Sequence, residues 1–216
     1  AVLVFFLFSR FPAAQPSESV AMREAPGLLR FPALILFAII LFFESVFEGA
    51  QVIFTVPFLS DKEGMNMASA TLAMTWFTVG MLAGRLPLGF ILGKLGAIGT
   101  LYSYLSAALA GVMLLLLCSG SVFAAYLSMI LIGFGVGATY PVILNYIGGA
   151  FRELSGTAIS IALFLGLLGQ YTFNKMTGTA FEAGRQMLLP VLLVVAVACM
   201  MTLVPLAVKV SSRMKG

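Results

Sequence analysis

Histidine is absent from this chain of 216 residues. That removes the commonest metal ligand and the commonest general base near neutral pH. Charge is scarce as well: Asp, Glu, Lys and Arg make up 9% of the residues, against about a quarter in a soluble domain. The net charge of +4 is scattered over loops, with no basic patch on which a nucleic acid would sit. The two cysteines, Cys118 and Cys199, fall in apolar stretches without a CxxC partner. They read as buried small hydrophobes more readily than as a structural pair. A P-loop, an HExxH and a nucleophile elbow are all missing, so ATP hydrolysis and protease or esterase chemistry have no footing. The chain is read as a non-enzyme with no cofactor and no metal.

What it has instead is apolar sequence, 61% of the residues, with a mean hydropathy of +1.10. A helix needs about 20 apolar residues to cross the hydrocarbon core. Six stretches qualify, at 31–59, 67–93, 97–118, 122–148, 156–176 and 187–208. The expected fold class is all-α, a polytopic six-transmembrane-helix bundle over residues 31–208. Residues 1–8 are apolar, about half a span long, and lack a basic leader region, so they read as the remnant of a preceding transmembrane helix. Residues 9–30, with three prolines and mixed charges, read as a linker, and 209–216 as a basic tail. With the start of the first span inside, nine Lys and Arg residues lie inside and three outside. The positive-inside rule then makes linker and tail cytoplasmic. A bacterial inner membrane is the expected location.

Two glutamates interrupt the first apolar stretch, which carries no other charge. A carboxylate at mid-bilayer costs a few kcal/mol on insertion scales. Glu44 and Glu48 lie one turn apart on one helical face, and Gln51 and Thr55 extend that face. Such a stripe points at a bundle interior or a water-filled cavity, and so at movement of something polar. Two carboxylates that close cannot both ionise cheaply in low dielectric, which makes them candidates for proton coupling or ion binding. The alternative is that Glu44 pairs with a cation outside this chain, or that Glu48 reaches an aqueous vestibule.

The second stretch ends Gly84-Arg85-Leu86-Pro87-Leu88-Gly89-Phe90-Ile91-Leu92-Gly93-Lys94-Leu95-Gly96. Glycines at 80, 84, 89 and 93 form two small-xxx-small pairs, and Gly96 permits a sharp turn. The fourth stretch holds Gly133-Phe134-Gly135-Val136-Gly137-Ala138-Thr139-Tyr140-Pro141, where the proline ring removes one backbone hydrogen bond near the membrane centre.

On these two motifs the chain resembles the major facilitator superfamily. Gly89, Gly93, Lys94 and Gly96 fit the family's loop motif, with glycine at 93 where its aspartate stands. The Tyr140–Pro141 step is similar to the tenth helix of the branch containing the fucose–proton symporter. The resemblance implies helices seven to twelve of a twelve-helix carrier working by alternating access. Its substrate would then sit between two six-helix halves near the midplane.

Tyr140, Asn145 and Gln170, with Gln51, are the candidate path for a small-molecule solute. Amides of this kind hold hydroxyl-rich solutes such as sugars, though they serve equally as interhelical hydrogen bonds. Trp76 reads as packing. Arg85, Lys94 and Pro141 read as gating or structural, Arg85 either meeting an acidic partner or snorkelling to headgroups. The expected function is the C-terminal half of a secondary active transporter, moving a small polar solute with protons. The alternative is a non-transporting scaffold subunit of a larger complex. Either way the polar face has to be covered in the lipid bilayer, by a missing N-terminal six-helix half, a second copy or a foreign membrane partner.

Overall fold

The computed structural model describes residues 25–117 and 121–213. The expectations placed on residues 1–8, on most of the 9–30 linker, on Cys118 and on the end of the 209–216 tail fall outside the described residues. A helical turn, Ala25–Leu28, leads into six helices long and apolar enough to cross a membrane. These spans run Pro32–Lys62, Met67–Arg85, Leu88–Leu117, Val122–Ala150, Ser155–Glu182 and Leu188–Ser212. No strand occurs among the described residues. The chain is an all-α integral membrane protein.

Local chemistry sets the ends. Pro32 opens the first span, where its missing N–H leaves no ladder bond unmade. Asn66 caps the second by accepting from the Ser69 N–H at 2.8 Å, and Ser121 caps the fourth. Gly96 turns the chain into the third span with φ 64° and ψ 178°, a conformation that penalises any Cβ. One boundary differs from the expected 67–93 span. The helix lapses at residues 86–87, because Pro87 cannot donate, and residues 88–95 continue as a helical arm up to Gly96.

The fourth span is also interrupted, between Val136 and Thr139. Proline would have to donate to the carbonyl four residues earlier, so Pro141 frees the Gly137 carbonyl and Pro205 frees that of Met201. Both are taken by side chains from other spans. Arg85 Nε donates to the Gly137 oxygen at 3.3 Å, and the Tyr102 hydroxyl donates to the Met201 oxygen at 2.8 Å. At the lapse in the second span, the Tyr104 hydroxyl donates to the Gly84 carbonyl at 2.6 Å.

The first span is the centre of the bundle and packs on the fifth and sixth. The second packs on the fourth, and the third on the fourth and sixth. Exchanging the first three spans for the last three reproduces this pattern, as in an inverted repeat. Close approach of the second and fourth spans depends on glycine. A Cβ on Gly80 would meet the Ile130 carbonyl, and one on Gly133 the Phe77 carbonyl. The second expected pair behaves otherwise: Gly89 and Gly93 face open space and join no helix contact. The arm that carries them turns Leu88, Ile91 and Leu92 toward the core and leaves the glycines outside. The second and fifth spans are the least enclosed, 28% and 22% of an apolar 18-residue stretch in each being buried against 67% in the first.

Two outcomes are expected from this packing. Gly133→Val should destabilise by roughly 1–3 kcal/mol through overpacking, whereas Gly93→Val should leave the thermal midpoint in detergent unchanged. Tyr102→Phe should cost about 1–3 kcal/mol by orphaning a buried carbonyl. In a Pro205→Ala background, where residue 205 regains its own N–H, most of that cost should vanish in a double-mutant cycle.

Candidate functional site

Glu44 sits near the middle of the most enclosed span and is fully buried. Neither of its carboxylate oxygens has a hydrogen-bond partner among the described residues. Its neighbour Ser45 does have one: the Ser45 hydroxyl and the Tyr140 phenol are hydrogen-bonded, tying the first span to the fourth just past the break. Gly166 of the fifth span abuts Ser45, since a Cβ there would run into its hydroxyl. Glu48, one turn further on, is only partly buried. It lies within electrostatic reach of Arg85, and Tyr140 within reach of both glutamates.

Arg85 therefore does more than mark the end of its helix. Its guanidinium reaches the Gly137 carbonyl, tying the second span to the fourth, and lies near enough to Glu48 to act on it electrostatically. Glu44 is fully buried and Glu48 partly so, while Arg85 is exposed at the end of the second span. A carboxylate without a donor or counter-ion in low dielectric must hold a proton or a cation.

The amides are dispersed. Gln51 is fully buried, with Nε2 donating to the Met129 sulfur at 3.5 Å and Oε1 accepting from Thr55 at 2.9 Å. Gln170 lies across Gly49, where a Cβ would overlap its side chain. Asn145 is exposed and lines a cavity of about 310 Å³ with Leu92, Ala97 and Tyr146, further along the fourth span than Tyr140. Lys94 stands over the Phe90 ring at 4.3 Å, on the arm leading to Gly96. Trp76 leans on Tyr126 with ring centroids 6.3 Å apart, a packing contact between the second and fourth spans.

Sequence reasoning missed Ser45, whose only signal was a hydroxyl beside an intramembrane glutamate. It also missed Thr139 and Thr177, whose buried hydroxyl oxygens have no partner among the described residues. No group of three or more His, Cys, Asp or Glu side chains converges among those residues.

Six apolar spans, a buried unpaired carboxylate at their centre and a proline-broken helix beside it make the architecture of a membrane transporter. A sequence profile of the Major Facilitator Superfamily matches residues 1–173, and the chain belongs to that superfamily. Its members are transporters, not enzymes. The match is to the superfamily as a whole and does not support the fucose–proton symporter branch. No curated protein and no solved structure matches the chain.

The Arg85–Gly137 contact makes its own prediction. Arg85→Met should destabilise the bundle by about 1–3 kcal/mol. Pro141→Ala, which returns a backbone donor to Gly137, should remove much of that penalty when the two are combined, as read from thermal unfolding in detergent.

Proposed function

We propose that this chain forms one half of a secondary active transporter, moving a small polar solute by alternating access and coupling it to protons. The observation that carries this reading is Glu44: fully buried, with both oxygens unpartnered. A purely structural carboxylate would have acquired a donor, because leaving one unsatisfied at that depth costs several kcal/mol. A proton that binds and leaves in each cycle supplies what the structure withholds. Glu48, partly exposed and under the influence of Arg85, is the entry point for that proton. The Ser45–Tyr140 bridge is the contact that a change at Glu44 would reach first.

A sugar is the solute class that the amides and Tyr140 would suit. In the described arrangement Gln51 and Gln170 engage neighbouring spans, so their use by a solute requires those spans to part. The open faces of the second and fifth spans are the surface on which a second six-helix half, or a second copy, would close the path. The excess of Lys and Arg on one side, nine against three, makes that side and both ends of the segment cytoplasmic in a bacterial inner membrane.

The test is solute uptake by the complete transporter in proteoliposomes under an imposed proton gradient. E44Q should abolish gradient-driven uptake while leaving downhill exchange measurable, and E48Q should weaken it. If the E44Q/E48Q pair left uptake and its pH dependence unchanged, proton coupling through these residues would be wrong. A chain that supports no uptake with any partner half, yet purifies in a fixed complex, would favour the scaffold reading.

A further inference from the structure

The fifth and sixth spans follow one another in sequence but touch little. Between their ends, around the connection at residues 183–187, lies a crevice of about 660 Å³. Its walls are apolar, with Met176 and Ala180 on one side and Leu188 and Val191 on the other. Arg185 is the one charged residue lining it. Glu182, exposed at the same helix end, forms no part of the wall. The crevice lies wholly beyond residues 1–173, the part matched by the superfamily profile.

Arg185 is not carried on a slack loop. Gly184 takes φ 73° and its N–H donates to the Phe181 carbonyl at 2.9 Å, while the Arg185 N–H donates to Ala180 at 2.8 Å. This paired closure is a Schellman end, which fixes the backbone on either side of the arginine. The Arg185 carbonyl in turn accepts from the Leu188 N–H at 3.1 Å, so the sixth span starts from the same anchor. The guanidinium is thus mounted at the mouth of an apolar slot, at the ends of two spans, where hydrocarbon gives way to headgroups.

These two halves of the crevice ask for different chemistry. Apart from Arg185 the walls offer a polar solute no free side-chain donor, since the Thr179 hydroxyl gives its proton to the Met176 carbonyl at 2.8 Å. A free anion would find one arginine and no second donor. An acyl chain fills the slot without desolvating anything polar, and a phosphate matches the fork of a guanidinium. The geometry points to a binding site for one anionic phospholipid between the fifth and sixth spans, its acyl chain in the crevice and its phosphate on Arg185.

The full chain would be reconstituted in vesicles of equal parts phosphatidylglycerol and phosphatidylcholine, extracted, and the lipids retained through stepwise delipidation counted by native mass spectrometry. One phosphatidylglycerol should outlast the rest. Arg185→Gln should reduce the preference for phosphatidylglycerol about fivefold, the factor contributed by one interfacial cation. Ala180→Trp should fill the slot and lower retention of either lipid; should that variant fail to fold, Arg185→Gln alone decides. Lys175→Gln, on the fifth span but outside the crevice, should change nothing. Equal retention of the two lipids by the unaltered chain would overturn the site. So would a loss in Lys175→Gln as large as in Arg185→Gln, since that would mean diffuse surface charge.

Discussion

In hydrocarbon a backbone carbonyl without a donor has no water to turn to, and every other feature of this bundle is arranged around that constraint. Not every span is an uninterrupted helix with its backbone fully paired. Pro141 and Pro205 each strip the donor from a carbonyl one turn earlier, and the second span lapses at Pro87. Arg85 of the second span and Tyr102 and Tyr104 of the third answer three of the released or neighbouring carbonyls, in each case on a helix other than their own. A defect in one span thereby becomes a bond between two. The interruptions hold the bundle together at the places where an isolated helix would be weakest.

Against that background Glu44 stands out by contrast. Carbonyls at the breaks have found donors, and so has the buried Gln51, while the carboxylate at the centre has none among the described residues. The Thr139 and Thr177 hydroxyls and the Asn174 side-chain oxygen are also unpartnered, but a buried carboxylate is the costliest group to leave open and calls most for an explanation in terms of use.

Much of the fold was legible in local sequence. The apolar runs located the spans, Gly96 the turn, Pro141 the break and Gly80 a close helix contact, because each depends on the chain's own bonding or on having no Cβ. The partners were not legible. Pro141 announces that the Gly137 carbonyl is free, but nothing nearby in the chain says that Arg85, 52 residues away, will take it. Spacing alone likewise made Gly89 and Gly93 look like Gly80 and Gly84, although only one pair meets another helix. The site divided in the same way. Glu44 and Glu48 declared themselves by their cost in an apolar run, whereas Gln51, Asn145 and Gln170 were merely polar, and the fold sent them to three different places.

The exchange symmetry of the packing makes the first and fourth spans counterparts, held in equivalent surroundings. They are not equivalent in stiffness. The first keeps an unbroken α-helix from Pro32 to Pro57, and the fourth is notched at mid-length. A load shared by both would bend the fourth while the first stayed straight.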